Sequence, residues 1–233
     1  MPSPPKRTTS PNPETRQKLL LAGARLFAEH GYRGVSVRDL CTEADVNIAA
    51  INYHFGGKQE LYHAIFEATL DADEPRFLES MGTLQTLIGS ANGDSARLAV
   101  AVSVFVKSML GHLAADEHKR WLGVLIIREL TFPSAAFDLI YRRRAEPLEC
   151  MLAKIVSTVS GKPAQSPQVH IQAHAIIGMI FNLGISRSIL WRLMDWDGYT
   201  PERVAQIGGI VTELICNALQ LGPAPAILSF GEN

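Results

Sequence analysis

Few residues in this chain have types and spacings that could do chemistry. His170 and His174 stand four apart, so a helix would carry both on one face, a spacing that can hold a metal ion. No third ligand follows at a telling distance, so no metal site and no cofactor is expected. Arg128 and Glu129 are adjacent opposite charges that would suit a binding pocket or an internal ion pair. There is no nucleophile–base motif, no phosphate-binding glycine loop and no paired-carboxylate signature. The expectation is therefore a non-enzyme, with a helical metal- or His-dependent enzyme as the remote alternative. Cys41, Cys150 and Cys216 are odd in number, far apart and set in apolar periodic stretches, which predicts buried free thiols in a reducing compartment. Arg142, Arg143 and Arg144 form a charge run that reads as a solvated face.

The remaining constellation lies between Ser36 and Lys58. Residues 36–44 and 47–54 read as two short helices joined by a tight turn, with Leu40, Val46 and Ile51 spaced to face inward. Those dimensions fit a helix-turn-helix, whose first helix braces a second that enters the DNA major groove, and they also fit an ordinary helical hairpin. Ser36 and Asp39 form a short-armed capping box. Asp45 occupies the turn, where a left-handed backbone is tolerated by Asp better than by most residues.

The elements that must position these residues are helices. Asn12-Pro13-Glu14, Ser166-Pro167 and Thr200-Pro201-Glu202 are each a cap followed by proline, a helix start. Leu19, Ala22, Leu26 and Phe27 give the first helix its apolar stripe, and Gly31 stops it. Asn47 can cap the third helix, and Gly56-Gly57 breaks it. A fourth helix from Lys58 carries Leu61, Ile65 and Ala68 and is expected to fade near Asp73-Glu74-Pro75. Gly82, Gly89, Asn92 and Gly93 make residues 80–95 the best boundary. Longer helices are expected over residues 95–114, 116–131, 134–159 with a kink at Pro147, 166–194 and 200–219. The fold class is all-α: residues 13–73 form one domain, 80–222 a larger one, 1–12 a flexible arm bearing Lys6-Arg7, and 223–233 a tail.

With 47% apolar residues among 233, the chain is too hydrophobic for disorder and long enough for a sizeable core. Its longest apolar stretches, 98–106 and 175–183, fall short of the ~20 residues of a membrane span. Residues 1–12 lack the apolar core of a signal peptide, so a cytoplasmic protein is expected. The net charge of −1 hides a polarity: residues 1–38 hold seven Lys or Arg against two acids, and residues 39–73 hold Lys58 alone against seven acids.

At residues 19–66, LLLAGARLFAEHGYRGVSVRDLCTEADVNIAAINYHFGGKQELYHAIF, the chain resembles the TetR family of bacterial transcriptional regulators. The resemblance rests on Leu26-Phe27, Gly31-Tyr32, Ser36-Val37, Val46, His54-Phe55, and Lys58 with Leu61. The wording VNIAAINYHFGGK, with RELTFPSAAFD later, is similar to the CecR-like subgroup. The resemblance implies a three-helix DNA-binding domain, with the helix-turn-helix at about residues 36–55, and a larger helical domain for ligand and dimer. It implies that Ser36 caps the bracing helix and reaches a phosphate, and that Arg38 meets a phosphate or base edge. Asn47, Ala49, Ala50 and Asn52 would lie on or near the groove face, where Asn pairs with adenine and Ala approaches thymine methyls. Tyr53, His54 and Lys58 would hold phosphates. The family commonly has Gly where Ala49 stands and Tyr where Asn52 stands, so the operator sequence is expected to differ.

For the second half the resemblance implies an effector pocket with Phe105, Met109, Trp121, Arg128, Glu129, Tyr141 and His174 as candidate lining. It also implies a homodimer face over the two helices at 166–194 and 200–219, where Gly178, Gly184, Gly208 and Gly209 permit close helix contact. The expected partners are a double-stranded operator, a small-molecule effector and a second copy, with no membrane. The expected function is a ligand-responsive repressor, associated with the nucleoid, or an activator or ligand-independent regulator of the same fold.

Overall fold

The capping signals read at Asn12, Ser36, Ser166 and Thr200 each start a helix. In the computed structural model, which describes residues 12–111 and 117–222, Asn12 caps α1 (Pro13–His30), with its side chain accepting from Glu14 N–H. Ser36 and Asp39 close a reciprocal capping box on α2 (Val37–Ala44). α3 spans Ala49–Phe55 and α4 spans Lys58–Ala91. There follow α5 (Ser95–Leu110), α6 (Glu117–Thr131) and α7 (Phe137–Ile140), a π-helical turn at Tyr141–Ala145, and α8 (Glu146–Ser160). α9 (Pro167–Ile185), α10 (Arg187–Met194) and α11 (Pro201–Ala218) are the last helices among the described residues. Among the described residues there is no strand.

Two compact units result. Of the described residues, one holds 12–72 together with 121–140; the other holds 73–111, 117–120 and 141–222. The first unit, the head, has a core of Leu19, Phe27, Leu40, Ile51 and Leu61, none of them exposed. Leu125, Ala136 and Ile140 join that same core. The expected division put residues 121–140 with the second half; they sit in the head because their apolar side chains are buried there. Glu129 is 2% exposed and accepts from Tyr62 Oη at 3.0 Å and from the Ser134 N–H.

α4 differs from expectation. It continues through Pro75 to Ala91, although an interior proline removes one backbone hydrogen bond. Phe77, Met81, Leu84, Ile88 and Ala91 recur at three- and four-residue spacing and pack into the second unit's core, while Gly82 and Gly89 fall on the exposed face. The apolar stripe outweighs the breakers. α5 is the centre of this unit, with Ala99, Ala101, Val102 and Val106 wholly buried, and α8, α9 and α11 pack on it.

Two expected long helices are each divided. Pro147 lies in the first turn of α8, so it starts that helix after the π-turn rather than kinking a longer one. The helix expected to reach Met194 breaks at Ser186, with 65° between α9 and α10. Ser186 Oγ bonds back to the Asn182 carbonyl, a competition that bends helices. The expected solvated arginine run is corrected in part. Arg143 and Arg144 donate to Glu74 Oε2 at 2.9 and 2.7 Å, and the Arg144 guanidinium lies 4.3 Å from the Phe77 ring centre. Only Arg142 of the three is exposed. Cys41 and Cys216 are buried free thiols, but Cys150 is exposed, because it lies on the outer side of α8. The arm and tail expected at 1–12 and 223–233 lie, apart from Asn12, outside the described residues.

Candidate nucleic-acid interface

The candidate interface is built on the turn between α2 and α3. Asp45 is left-handed, φ 52° and ψ 53°, and the Val46 N–H returns to the Cys41 carbonyl at 3.0 Å. That closure ends α2 and redirects the chain into α3. Leu40 and Ile51 are fully buried and Val46 half-buried, as their spacing predicts, so one side of α3 is anchored in the head. Its other side is open: Asn47, Ala49, Asn52 and Tyr53 are exposed and Ala50 is half-buried. α3 begins at Ala49, two residues later than expected, because Asn47 Oδ1 accepts from the Ala49 N–H at 2.8 Å and serves the helix start.

The flanking polar groups have defined surroundings. Ser36 Oγ accepts from Asp39 N–H at 3.1 Å, and Arg38 is exposed one residue past the start of α2. Hydrogen bonds from Ser36 to Asp39 hold the Asp39 carboxyl below its ordinary range. Tyr53 is 57% exposed, and its ring meets His54 edge to face at 5.1 Å. His54 is half-buried, and its Nδ1 is a buried nitrogen with no hydrogen-bond partner. Lys58 lies at the first residue of α4, its Nζ 4.3 Å from the Tyr32 ring centre. Burial lowers its pKa, and the Asp39 charge opposes that shift.

The cations of α1 are largely committed within the head. Arg25 pairs with Glu43, Lys18 with Glu14 at 3.0 Å, and Arg16 stacks over Phe55 at 5.3 Å. Residues 36–58 thus offer hydrogen-bonding and small apolar groups with few free charges. A groove of about 650 Å³ runs beside them, lined by Arg38, Thr42, Asp45, Asn47 and Ile48 among others. Ile48, which carried no role in the sequence reading, is 50% exposed at the entry of α3. Its signal is in the sequence: it is the one leucine or isoleucine of residues 36–58 outside the inward set of Leu40, Val46 and Ile51.

The expected pocket residues occupy varied settings. Trp121, Arg128 and Glu129 belong to the head, with Trp121 against its core and Glu129 inside it. In the second unit Phe105 is in the core, Met109 packs beside it, and Tyr141 is 42% exposed. The His174 ring faces solvent and pairs with Glu149 Oε1 at 2.7 Å. Of the four glycines, Gly208 is buried against Leu110 of α5, Gly178 and Gly209 are exposed, and Gly184 is half-buried. Among the described residues no three metal-ligating side chains gather, and no single helix is long and apolar enough to cross a membrane.

Comparison with known proteins matches both regions. Residues 19–65 match the bacterial regulatory proteins of the tetR family, and residues 98–220, more than half of the chain, match the C-terminal domain of the HTH-type transcriptional dual regulator CecR. The dual regulator CecR of Shigella flexneri is 25% identical over 199 residues, covering 85% of this chain and 88% of that protein. The repressor KstR2 of Rhodococcus jostii RHA1 is 30% identical over 134 residues, 54% of this chain and 64% of that protein. HlyIIR, a hemolysin II transcriptional regulator, shares the fold with a TM-score of 0.55 and 23% identity over 85% of this chain and 97% of its own. AibR, solved with isovaleryl coenzyme A and operator DNA, matches with a TM-score of 0.55 and 18% identity over 84% and 97%. Regulators of this kind bind operator DNA, usually as dimers, with small-molecule effectors. The chain belongs to the TetR family of bacterial transcriptional regulators, with a C-terminal domain of the CecR type, and is a DNA-binding protein rather than an enzyme.

Proposed function

We propose that this regulator is a ligand-responsive homodimeric repressor that leaves a pseudo-palindromic operator in the cytoplasm when a small molecule binds its second unit. The observation that carries the DNA part is the exposed side of α3, held on a wholly buried Ile51 and presented by the left-handed turn at Asp45. In this reading Asn52 and Ala49 face bases, with Ala50 beside them. Ser36, Arg38, Asn47, Tyr53, His54 and Lys58 engage phosphates or base edges at the rim. One short helix contacts few base pairs, so two copies reading two half-sites give a usable site.

The dimer reading is supported by apolar side chains left in water on α9 to α11. Ile171, Ile189, Leu193, Ile210 and Leu214 are each more than half exposed, beside the exposed Gly178 and Gly209. The effector reading is supported by the same fold in AibR, whose solved structure holds both a coenzyme A thioester and DNA. Phe105, Met109, Tyr141 and His174 are the proposed surroundings of the effector in the second unit. Effector binding would favour a separation of the two heads that does not fit the operator.

A gel-shift assay with DNA flanking the encoding gene tests this function. A sequence-dependent, salt-sensitive shift is expected; none with any upstream fragment overturns the reading. Leu214→Asp is expected to give monomers by light scattering and to lose the shift.

A further inference from the structure

We infer that Ile48 is a specificity-determining residue that reads the 5-methyl group of a thymine in the operator. This rests on the DNA-binding reading of α3. Ile48 is 50% exposed, whereas Leu40 and Ile51 on either side of it are fully buried. It does nothing for the helix start, where no cap hydrogen bond comes from its side chain and Asn47 Oδ1 holds the Ala49 N–H instead. Its backbone is already helical, φ −58° and ψ −26°, so it stands in register with α3. Four residues later on the same face is the exposed Asn52, and the adjacent exposed Ala49 carries only a methyl group. Ile48 also lines the groove of about 650 Å³ beside Asn47 and Arg38.

The chemistry that fits an exposed branched aliphatic side chain in the major groove is a methyl group. Thymine alone of the four bases carries one there. Ile48 and Asn52 are about one helical turn apart, ~5.4 Å along the axis, and base pairs stack ~3.4 Å apart. The thymine read by Ile48 therefore lies within one or two base pairs of the adenine read by Asn52. Removing one methyl from such a contact loses roughly the burial of one apolar carbon, about fourfold in affinity per half-site.

The test begins with the full chain and a pool of random duplexes, from which bound sequences are enriched. Each thymine of the enriched site is then replaced singly by deoxyuridine, which keeps the pairing and removes only the methyl. One position is expected where the wild-type chain loses about fourfold. The Ile48→Ala variant is expected to bind the thymine and uracil duplexes equally, Ile48→Val to keep the preference, and Asn52→Ala to retain uracil sensitivity at that position. If no position is uracil-sensitive, or if the sensitivity persists in Ile48→Ala, the inference about Ile48 is overturned while the DNA-binding reading stands. If no sequence is enriched by the wild-type chain, the DNA-binding reading fails and this inference with it. Equal thermal midpoints for wild type and Ile48→Ala are expected, because the side chain is not in the core.

Discussion

Tyr62 and Glu129 show what a single buried polar contact does in the head. The Glu129 carboxylate has almost no solvent, and Tyr62 Oη and the Ser134 N–H donate to it. That contact keeps the Tyr62 phenol protonated well above the usual tyrosine range, with burial the larger cause and the Glu129 charge the next. Tyr62→Phe removes one donor and leaves the carboxylate under-satisfied, so a loss of about 1–3 kcal/mol is expected in denaturant unfolding. An unchanged midpoint would show that water replaces the hydroxyl. At the DNA face the residue-scale expectation is a contrast. If Tyr53 and His54 meet phosphates as proposed, Tyr53→Phe and His54→Ala should weaken binding to all sequences alike, because phosphates carry no sequence. Asn52→Ala should instead change which base is preferred, by about 1–3 kcal/mol at one position. Enriched-sequence logos of the three variants distinguish the two behaviours.

Elements were legible where the signal is local. The caps at Asn12, Ser36, Ser166 and Thr200, the stop at Gly31 and the turn at Asp45 all rest on a side chain or φ value that one or two residues determine. The continuation of α4 was not legible, because Pro75 and two glycines argue locally for a stop and only the tertiary burial of Met81 and Leu84 argues against it. The membership of residues 121–140 was hidden for the same reason: an apolar stripe does not say which core receives it. The arginine run misled because its partner, Glu74, is about 70 residues away. That partner makes a prediction. The two guanidinium donors hold the Glu74 carboxyl below its ordinary value of 4.5. A lowered folded pKa contributes stability that is present above about 4.5 and lost as pH falls through the folded value. The thermal midpoint should therefore drop on the acid side of 4.5, and Glu74→Gln should flatten part of that drop while lowering the midpoint at neutral pH. Glu74 is about one-third exposed, so the effect is expected to be well under 1 kcal/mol.

At the scale of the whole molecule the near-zero net charge bears on how DNA is held. Seven cations precede residue 39, but Lys6 and Arg7 lie outside the described residues, and Arg16, Lys18 and Arg25 are engaged with Phe55, Glu14 and Glu43. Among the described residues of the first 58, Arg33 and Arg38 are exposed without an ion pair, and Lys58 is half-buried on Tyr32. Each neutralised phosphate contributes about −0.9 to the slope of log affinity against log salt, so three cations on each of two copies give about −5. Affinity would then come more from groove contacts and hydrogen bonds than from counterion release. A slope near −5, measured by titrating salt against a fixed duplex, supports that division. A slope of about −8 or steeper would require further cations, and Lys6 and Arg7 are the first to test. Replacing both by Ala should then bring the slope back toward −5; if the steep slope persists, α1 must release its arginines from Phe55 and Glu43 when DNA binds.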